Sequence, residues 1–200
     1  MEINNQQRNV VVIGGGPAGI EASRTLDAMG YTVFLIEKDN RLGGHLARWD
    51  RLFPYGDHAD EVLGRMTSSM GGVKWFTGTE VTQVNRLERG YNIILSNGIS
   101  VLADALLLTT GFSLFDASRK EEYGYGIYDK VITNADLEDY FSGIPVPAID
   151  SPKRIGFVHC VGSRDEKVGN RYCSKVCCAT AVKQACEIKQ QFPDAVVYCF

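Results

Sequence analysis

Apolar and polar positions alternate along the start of the chain in a pattern that predicts a strand, a helix and a second strand. Residues 9–13 form a β-branched run that leads into three consecutive glycines, which is typical of a buried parallel strand entering a tight turn. Pro17 begins a helical pattern that continues to Met29 and closes at Gly30. A second apolar run at residues 32–37 completes a strand–helix–strand unit of the usual length, about 30 residues.

The next part of the chain predicts one helix and a series of short strands. Apolar residues have helical spacing over residues 60–70. Short apolar runs separated by turn residues then predict strands at residues 73–77, 80–87, 91–96 and 99–108. Asn97-Gly98 is a strong hairpin signal. Residues 106–108 predict a buried strand that leads to Gly111.

The last third of the chain predicts a second strand–helix–strand unit. A less regular segment at residues 112–152 contains a predicted helix at 134–141 and ends in a proline-rich linker. A strand at 154–160, a helix at 174–191 and a strand at 195–200 follow. Two parallel strands are not a finished sheet, so we expect the chain to be incomplete or to complete its fold against a partner. We therefore predict one domain at residues 1–152 and a partial second domain at 153–200.

Composition and charge argue against several classes of protein. The chain has 44% hydrophobic and 22% charged residues, as ordinary globular proteins do. A net charge of −3 argues against a nucleic-acid partner, which requires a concentrated basic face. No apolar run approaches the roughly 20 residues of a membrane span, and the first five residues lack the features of a signal peptide. We therefore expect a cytoplasmic protein whose cysteines act as ligands or redox groups rather than as structural disulfides.

The glycine-rich turn after the first strand has the spacing of a dinucleotide-binding motif, Gly14-x-Gly16-x-x-Gly19. In this motif Gly14 allows the tight turn, Gly16 lets a pyrophosphate approach the backbone, and Gly19 allows close packing of helix and strand. The helix N-terminus offers N–H groups to the phosphates. Glu37, at the end of the second strand, can accept hydrogen bonds from a ribose. Because strand, helix and acid are all in register, a dinucleotide site is favoured over a mere glycine-rich turn.

All six cysteines lie in the last 41 residues, and four of them have the spacing Cys160-x12-Cys173-x3-Cys177-Cys178. Such crowding indicates a local function, since cysteines used only for packing would be scattered along the chain. Cys160 ends a predicted strand, and the other three lie at or just inside the start of the next predicted helix, so the four can converge.

Four interpretations of these cysteines remain open. A [4Fe–4S] cluster accounts for all four, whereas a redox dithiol accounts for two. Structural zinc sites usually use two C-x2-4-C pairs, to which the adjacent Cys177 and Cys178 are poorly suited. Packing in the core suits Cys186 and Cys199, which lie in apolar stretches. The spacing favours the cluster.

Two further patterns resemble flavoproteins of the two-dinucleotide-binding-domain class, which includes thioredoxin reductase. Leu42-Gly43-Gly44 lies just beyond the predicted ribose-binding acid, and Thr110-Gly111 follows a predicted strand. The resemblance implies an α/β fold with a Rossmann-type FAD unit and the start of a second Rossmann-like unit. In relatives of thioredoxin reductase the second unit binds NAD(P)H through its own glycine-rich loop. Here no such loop is present, and the cysteines occupy its place in the chain.

Most of the chain resembles one family more specifically, the flavin subunit of heterodisulfide reductases, including the related flavin subunits of quinone-interacting membrane-bound oxidoreductase complexes. The resembling runs are residues 11–20, 37–38, 42–44, 53–54, 122–126, 131–133 and 181–185, together with the specific motifs Cys160-Val161-Gly162-Ser163-Arg164-Asp165 and Tyr172-Cys173-Ser174-Lys175-Val176-Cys177-Cys178. The chain departs from many relatives after Phe53-Pro54, where they carry paired cysteines and this chain has none.

The resemblance implies two cofactors. It implies that FAD binds the first domain through residues of the glycine motif, the acid and the later glycine turns, namely Gly14, Gly16, Pro17, Ala18, Gly19, Glu37, Lys38, Gly43, Gly44, His45, Thr110 and Gly111. It also implies a [4Fe–4S] cluster on Cys160, Cys173, Cys177 and Cys178. No separate catalytic side chain is predicted.

The resemblance further implies an oxidoreductase subunit that moves electrons between FAD and the cluster, and on to partner subunits of a complex. We expect a hetero-oligomer without nucleic acid and without a membrane span of its own, cytoplasmic or membrane-associated through its partners. The alternative is a pyridine-nucleotide-disulfide oxidoreductase with a redox-active cysteine pair.

Overall fold

The computed structural model describes residues 8–200. Two compact units are formed, one by the chain up to Ala47 together with Ala59–Phe112, the other by Arg48–His58 together with Ser113–Phe200. The segment on which the signal-peptide prediction rests lies outside the described residues. The functional boundary predicted at residue 152 stays a prediction.

The strands and helices follow the predicted order closely. The strands are β1 (Asn9–Ile13), β2 (Thr32–Ile36), β3 (Arg51–Leu52), β4 (Asp57–His58), β5 (Lys74–Phe76), β6 (Val81–Arg86), β7 (Tyr91–Leu95), β8 (Ser100–Ala103), β9 (Ala105–Leu108), β10 (Arg154–Phe157) and β11 (Val196–Cys199). The helices are α1 (Pro17–Ala28), α2 (Ala59–Ser68), α3 (Asn134–Phe141) and α4 (Cys177–Gln191).

The first unit is built on a parallel sheet of four strands in the order β5-β2-β1-β9. Side chains alternate between the two faces of a strand, so β1 supplies both sides of the core. Val10 and Val12 pack with Ile20 of α1 on one face. Val11 packs on the other face against Ile93 of β7, within the antiparallel sheet β6-β7-β8.

The predicted strand at residues 99–108 is divided in two. β8 pairs with β7 in the antiparallel sheet, whereas β9 pairs with β1 in the parallel sheet. The chain changes sheets at Asp104, whose backbone nitrogen donates to the carbonyl of Asn9 at 2.8 Å and whose carboxylate accepts from the Asn9 backbone nitrogen at 2.8 Å. The prediction that residues 106–108 are buried is wrong, because β9 lies at a sheet edge and Leu108 is 67% exposed.

The second unit contains the parallel pair β10-β11 joined by α4, together with α3. Its core includes Leu137 of α3, Phe157 of β10 and Ile188 of α4. A buried ion pair also joins the two helices, since the Lys183 ammonium lies 2.6 Å from the Glu138 carboxylate. None of the helices within residues 8–200 is long and apolar enough to cross a membrane.

Candidate functional site

The glycine-rich turn has the conformation that its spacing predicts. Gly14 has a positive φ of 106°, which favours glycine, and a Cβ there would lie 2.3 Å from the Thr109 carbonyl oxygen. A Cβ at Gly19 would lie 1.9 Å from the carbonyl oxygen of Gly14. Both positions are therefore closed to any side chain by the backbone of the protein itself.

Gly16 differs from its two partners in the motif. A Cβ at Gly16 would meet no protein atom within 4 Å, so the space beside it is open. Gly16 is also the N-cap of α1, with Pro17 as the first helical residue and with Pro17 and Ala18 both exposed. The open side of the turn therefore coincides with the free N–H groups of the helix N-terminus, where a pyrophosphate is favoured.

Glu37 is held against the glycine-rich turn. It is 6% exposed, and its Oε2 accepts a hydrogen bond from the Gly15 backbone nitrogen at 2.6 Å. Its Oε1 accepts from the backbone nitrogen of Asp39 at 2.8 Å. Each carboxylate oxygen has a second lone pair, so these bonds orient the acid and leave acceptor capacity for a ribose hydroxyl. The neighbouring Lys38 is exposed.

The later glycine turns lie against the same motif. The Gly43 backbone nitrogen donates to the Gly15 carbonyl at 2.8 Å, and a Cβ at Gly44 would lie 3.3 Å from Cα of Gly16. The Thr109 hydroxyl bonds the carbonyl oxygens of Ile13 and Gly14 at 2.9 and 2.8 Å. These contacts bring the two segments predicted to flank the cofactor onto the dinucleotide turn.

His45 connects the two flanking segments. Its Nε2 lies 2.9 Å from the carbonyl oxygen of Phe112, and the two rings stack with centroids 4.7 Å apart. Thr110 and Gly111, which precede this contact, are exposed. The twelve residues predicted to bind FAD thus all lie in the first unit.

The four clustered cysteines lie in the second unit. The twelve residues between Cys160 and Cys173 fold back on themselves, and we call residues 161–172 the cysteine hairpin. Arg164 donates its backbone N–H to the Tyr172 carbonyl at 2.9 Å, and the hairpin closes where Asp165 and Asn170 exchange backbone hydrogen bonds of 2.8 and 3.0 Å. The x12 spacing therefore corresponds to a hairpin that returns the chain toward its starting point.

The expected positions on strand and helix are partly wrong. β10 ends at Phe157, so Cys160 lies beyond the strand and has a positive φ of 60°. α4 begins at Cys177, so Cys173 precedes the helix instead of lying in its first turn. The Cys173 Sγ accepts from the Lys175 backbone nitrogen at 3.3 Å. Loop conformation, more than helix periodicity, therefore arranges these thiols.

Hydrogen bonds and neighbouring charges shift the pKa values of the Cys177 and Cys178 thiols. The hydroxyl of Ser174 lowers the pKa of the Cys177 thiol, and the backbone of Cys160 lowers it further against the opposing effect of burial. Negative charge on Cys177 raises the pKa of Cys178, and charges on Cys160 and Cys173 add to this effect. Cys177 and Cys178 thus lie near enough to the other two thiols to be affected by their charge or backbone.

Two further observations bear on the cysteines. Within residues 8–200, no three side chains of the types His, Cys, Asp and Glu are grouped so as to hold a metal ion, so the four-cysteine ligand set stays a prediction. Cys186 and Cys199 are exposed, so the prediction that they pack in the core is wrong. Apolar neighbours in sequence do not bury a cysteine when its own position on the helix or strand faces solvent.

Sequence reasoning missed several residues that shape the two sites. Gly15 and Thr109 hold the dinucleotide turn through hydrogen bonds, and Ser174 acts on Cys177. Thr109 directly precedes the predicted Thr110, and Ser174 directly follows Cys173. The sequence signal for both residues is therefore that each is adjacent to a predicted site residue.

Comparison with known families identifies the first part of the chain as an oxidoreductase domain. The family model described as pyridine nucleotide-disulphide oxidoreductase matches residues 8–122. This match covers more than half of the chain and includes every predicted FAD residue. It supports FAD as the cofactor of the first unit and confirms the predicted oxidoreductase class.

Curated relatives confirm the more specific resemblance. The chain is 31% identical to a subunit of the ferredoxin/F(420)H(2)-dependent CoB-CoM heterodisulfide reductase of Methanosarcina acetivorans, over 95% of this chain and 35% of that protein. It is 28% identical to an iron-sulfur subunit of the CoB–CoM heterodisulfide reductase of Methanopyrus kandleri, over 96% of this chain and 43% of that protein. The chain therefore spans less than half the length of these relatives.

A solved structure confirms the predicted fold class. L-proline dehydrogenase from P. horikoshii has a TM-score of 0.53 and 18% identity, and the match covers 96% of this chain and 35% of that one. At this identity the likeness concerns the fold alone.

Proposed function

We propose that this chain, which belongs to the pyridine nucleotide-disulphide oxidoreductase family, is a flavin- and iron–sulfur-dependent electron-transfer subunit of a heterodisulfide-reductase-like complex. One observation carries the proposal. An open dinucleotide turn in the first unit is combined, in the same chain, with four thiols at the two ends of the cysteine hairpin and the start of α4 in the second unit. When bound, FAD supplies one- and two-electron chemistry and the cluster supplies one-electron chemistry.

The first unit contributes binding and orientation of FAD. The open space at Gly16 and the N-terminus of α1 receive the pyrophosphate. Glu37, fixed by two backbone N–H groups, accepts from the ribose. The turns at Gly43 and Gly44 and at Thr110 and Gly111 border the cofactor.

The second unit contributes the ligands of the cluster. Cys160 and Cys173 stand at the two ends of the cysteine hairpin, and Cys177 and Cys178 open α4. Thiolates are the ligand form, and the Ser174 hydroxyl favours the thiolate of Cys177 by lowering its pKa. As thiolates, the four cysteines would supply an anionic ligand set whose charge the cationic core of a cluster would offset.

Partner subunits follow from the relatives. Proteins named as subunits of heterodisulfide reductases match almost the whole chain. We infer a hetero-oligomeric complex, with electrons passing between FAD, the cluster and the partner subunits. We also propose that the protein is cytoplasmic and associates with a membrane only through its partner subunits.

Anaerobic reconstitution tests the cluster. The protein is loaded with FAD, iron and sulfide, and the reduced sample is examined by EPR together with iron, sulfide and zinc analysis. About four irons and a reduced-cluster signal per chain are expected for a [4Fe–4S] site. One tightly bound zinc per chain and no cluster signal would refute the proposal.

A second candidate function is a pyridine-nucleotide-disulfide oxidoreductase with a redox-active cysteine pair. The lowered pKa of Cys177 favours it, since a stabilised thiolate is what a reactive cysteine requires. This function predicts that NADPH reduces the bound flavin anaerobically and that Cys160→Ser leaves the activity intact. An unbleached flavin spectrum after NADPH addition would exclude it.

A further inference from the structure

The segment that follows the predicted FAD residues holds a buried lysine against the cysteine hairpin. Lys120 is 5% exposed, although lysine is among the residues least often buried. Its Nζ lies 2.7 Å from Oδ2 of Asp165 and 2.6 Å from Oε1 of Glu122. A buried ammonium needs such partners, because its loss of hydration is otherwise uncompensated.

Asp165 is the residue at which the hairpin closes. Its backbone exchanges two hydrogen bonds with Asn170, and its Oδ1 accepts from the Lys167 backbone nitrogen at 2.9 Å. The second carboxylate oxygen is the one that Lys120 binds. Lys120 therefore holds the hairpin at its closing pair and not at a free end.

Two neighbours of Lys120 extend the contact along the hairpin. Phe115 packs directly on Gly162, where a Cβ would lie 2.2 Å from Cδ1 of the ring. Arg119 lies over the Phe115 ring at 5.2 Å, and its Nη2 donates to the Val168 carbonyl at 3.4 Å. The hairpin is thus held at its base, at its closing pair and near its tip.

The hairpin needs this support because its own conformation is unfavourable. Cys160 and Arg164 both have positive φ angles, 60° and 54°, which non-glycine residues adopt only when the surroundings impose them. Its two ends carry Cys160 and Cys173, so a shift of the hairpin moves two of the four thiols relative to each other.

We propose that Lys120 is a positioning residue for the cysteine site. By binding Asp165 it holds the cysteine hairpin closed and thereby sets the separation of Cys160 and Cys173. The inference rests on the proposed function for what the thiols bind, whereas the closure of the hairpin by Lys120 is independent of any metal.

The test compares the metal-free chain and the reconstituted chain of each variant. In Lys120→Met, hydrogen exchange of a peptide covering residues 161–172 is expected to be roughly tenfold faster, as for the loss of one charge-assisted hydrogen bond. After reconstitution the same variant should bind less iron and give a broadened or weakened EPR signal. Lys120→Arg, which keeps the charge, is expected to show the hydrogen exchange, iron content and EPR signal of the wild type.

Two matched variants separate this effect from general loss of charge. Lys130→Met removes an exposed lysine of the same unit and should leave exchange and iron content unchanged. Glu122→Gln removes the charge of the other partner of Lys120. The Glu122 side chain is 51% exposed and lies outside the hairpin, so the hairpin should stay protected.

Asp165→Asn provides a second variant, because its amide oxygen can still accept from Lys167 while the ion pair is lost. The double variant Lys120→Met with Asp165→Asn should exchange no faster than either single variant. Wild-type exchange and iron content in Lys120→Met would overturn the inference. If the wild-type chain binds no iron but Lys120→Met still loosens the hairpin, the proposed function fails and the role of Lys120 stands.

Discussion

The Oε2 atom of Glu37 lies 2.6 Å from the backbone nitrogen of Gly15. This hydrogen bond joins the end of β2 to the turn after β1, and the other carboxylate oxygen binds the backbone nitrogen of Asp39. One side chain therefore satisfies two buried or half-buried N–H groups and places its remaining lone pairs beside the dinucleotide turn.

Glu37→Gln is expected to weaken both the apo fold and FAD binding. A glutamine has one acceptor oxygen, so either Gly15 or Asp39 loses its partner. The apo chain should lose about 1–3 kcal/mol of unfolding free energy, and FAD should bind at least about fivefold more weakly. Urea unfolding and flavin fluorescence titration measure the two effects. The exposed Glu88→Gln is the control, and equal losses in both variants would contradict the assignment.

The glycines of the motif are expected to respond differently to alanine. Gly19→Ala places a methyl group 1.9 Å from the Gly14 carbonyl, so the apo chain should lose about 2 kcal/mol or more. Gly16→Ala meets no protein atom within 4 Å, so apo stability should change by no more than about 1 kcal/mol, the cost of alanine at a helix N-cap. Its FAD affinity should nevertheless fall at least about tenfold, because the methyl group occupies the pyrophosphate side of the turn.

Thermal unfolding of the apo chain and FAD titration distinguish these outcomes. A Gly16→Ala variant that binds FAD as well as the wild type does would show that the pyrophosphate does not approach this glycine.

The cysteines are expected to fall into two classes. Serine at each of the four clustered positions, Cys160, Cys173, Cys177 or Cys178, should lower the iron content and abolish or alter the reduced-cluster EPR signal, because a thiolate ligand is lost. Serine at Cys186 or Cys199 should change neither, and these two exposed cysteines are matched controls. Loss of the cluster signal in a control variant would show that the ligand set is wrong.

Glu187 is expected to make stability depend on pH. Burial raises the pKa of this carboxyl above its ordinary value of 4.5, although the charge of Lys183 partly opposes the shift. The folded state therefore keeps the proton to higher pH than the unfolded state does. Stability contributed by the neutral carboxyl is present at low pH and is lost as pH rises from about 4.5 through the raised pKa.

Glu187→Gln cannot ionise and should lose less unfolding free energy than the wild type as the pH rises above about 4.5. Urea denaturation across this range measures the difference, with the exposed Glu121→Gln as the control for removal of one carboxylate. A steeper decline in Glu187→Gln than in the wild type would contradict the assigned direction.

Local sequence patterns predicted most elements because their causes are local. β1 matches its prediction residue for residue, since its β-branched run and the following glycines leave few other conformations. α3 does so as well, because Thr133 and Asp136 form a capping box at its start. The run at residues 99–108 failed for the opposite reason. Its division at Asp104 depends on pairing with Asn9, which is distant in sequence.

The sequence by itself predicted two sets of residues, a dinucleotide motif with its acid and four clustered cysteines. Spacing carries this information, because a turn, a helix start and a ligand set each demand particular residues at short range. Only the tertiary structure decided what holds those sets in place. Lys120 reaches Asp165 across 45 positions of sequence, and the exposure of Cys186 and Cys199 depends on which neighbours cover each face. Long-range ion pairs and burial are decided by the packing of elements, which no local pattern encodes.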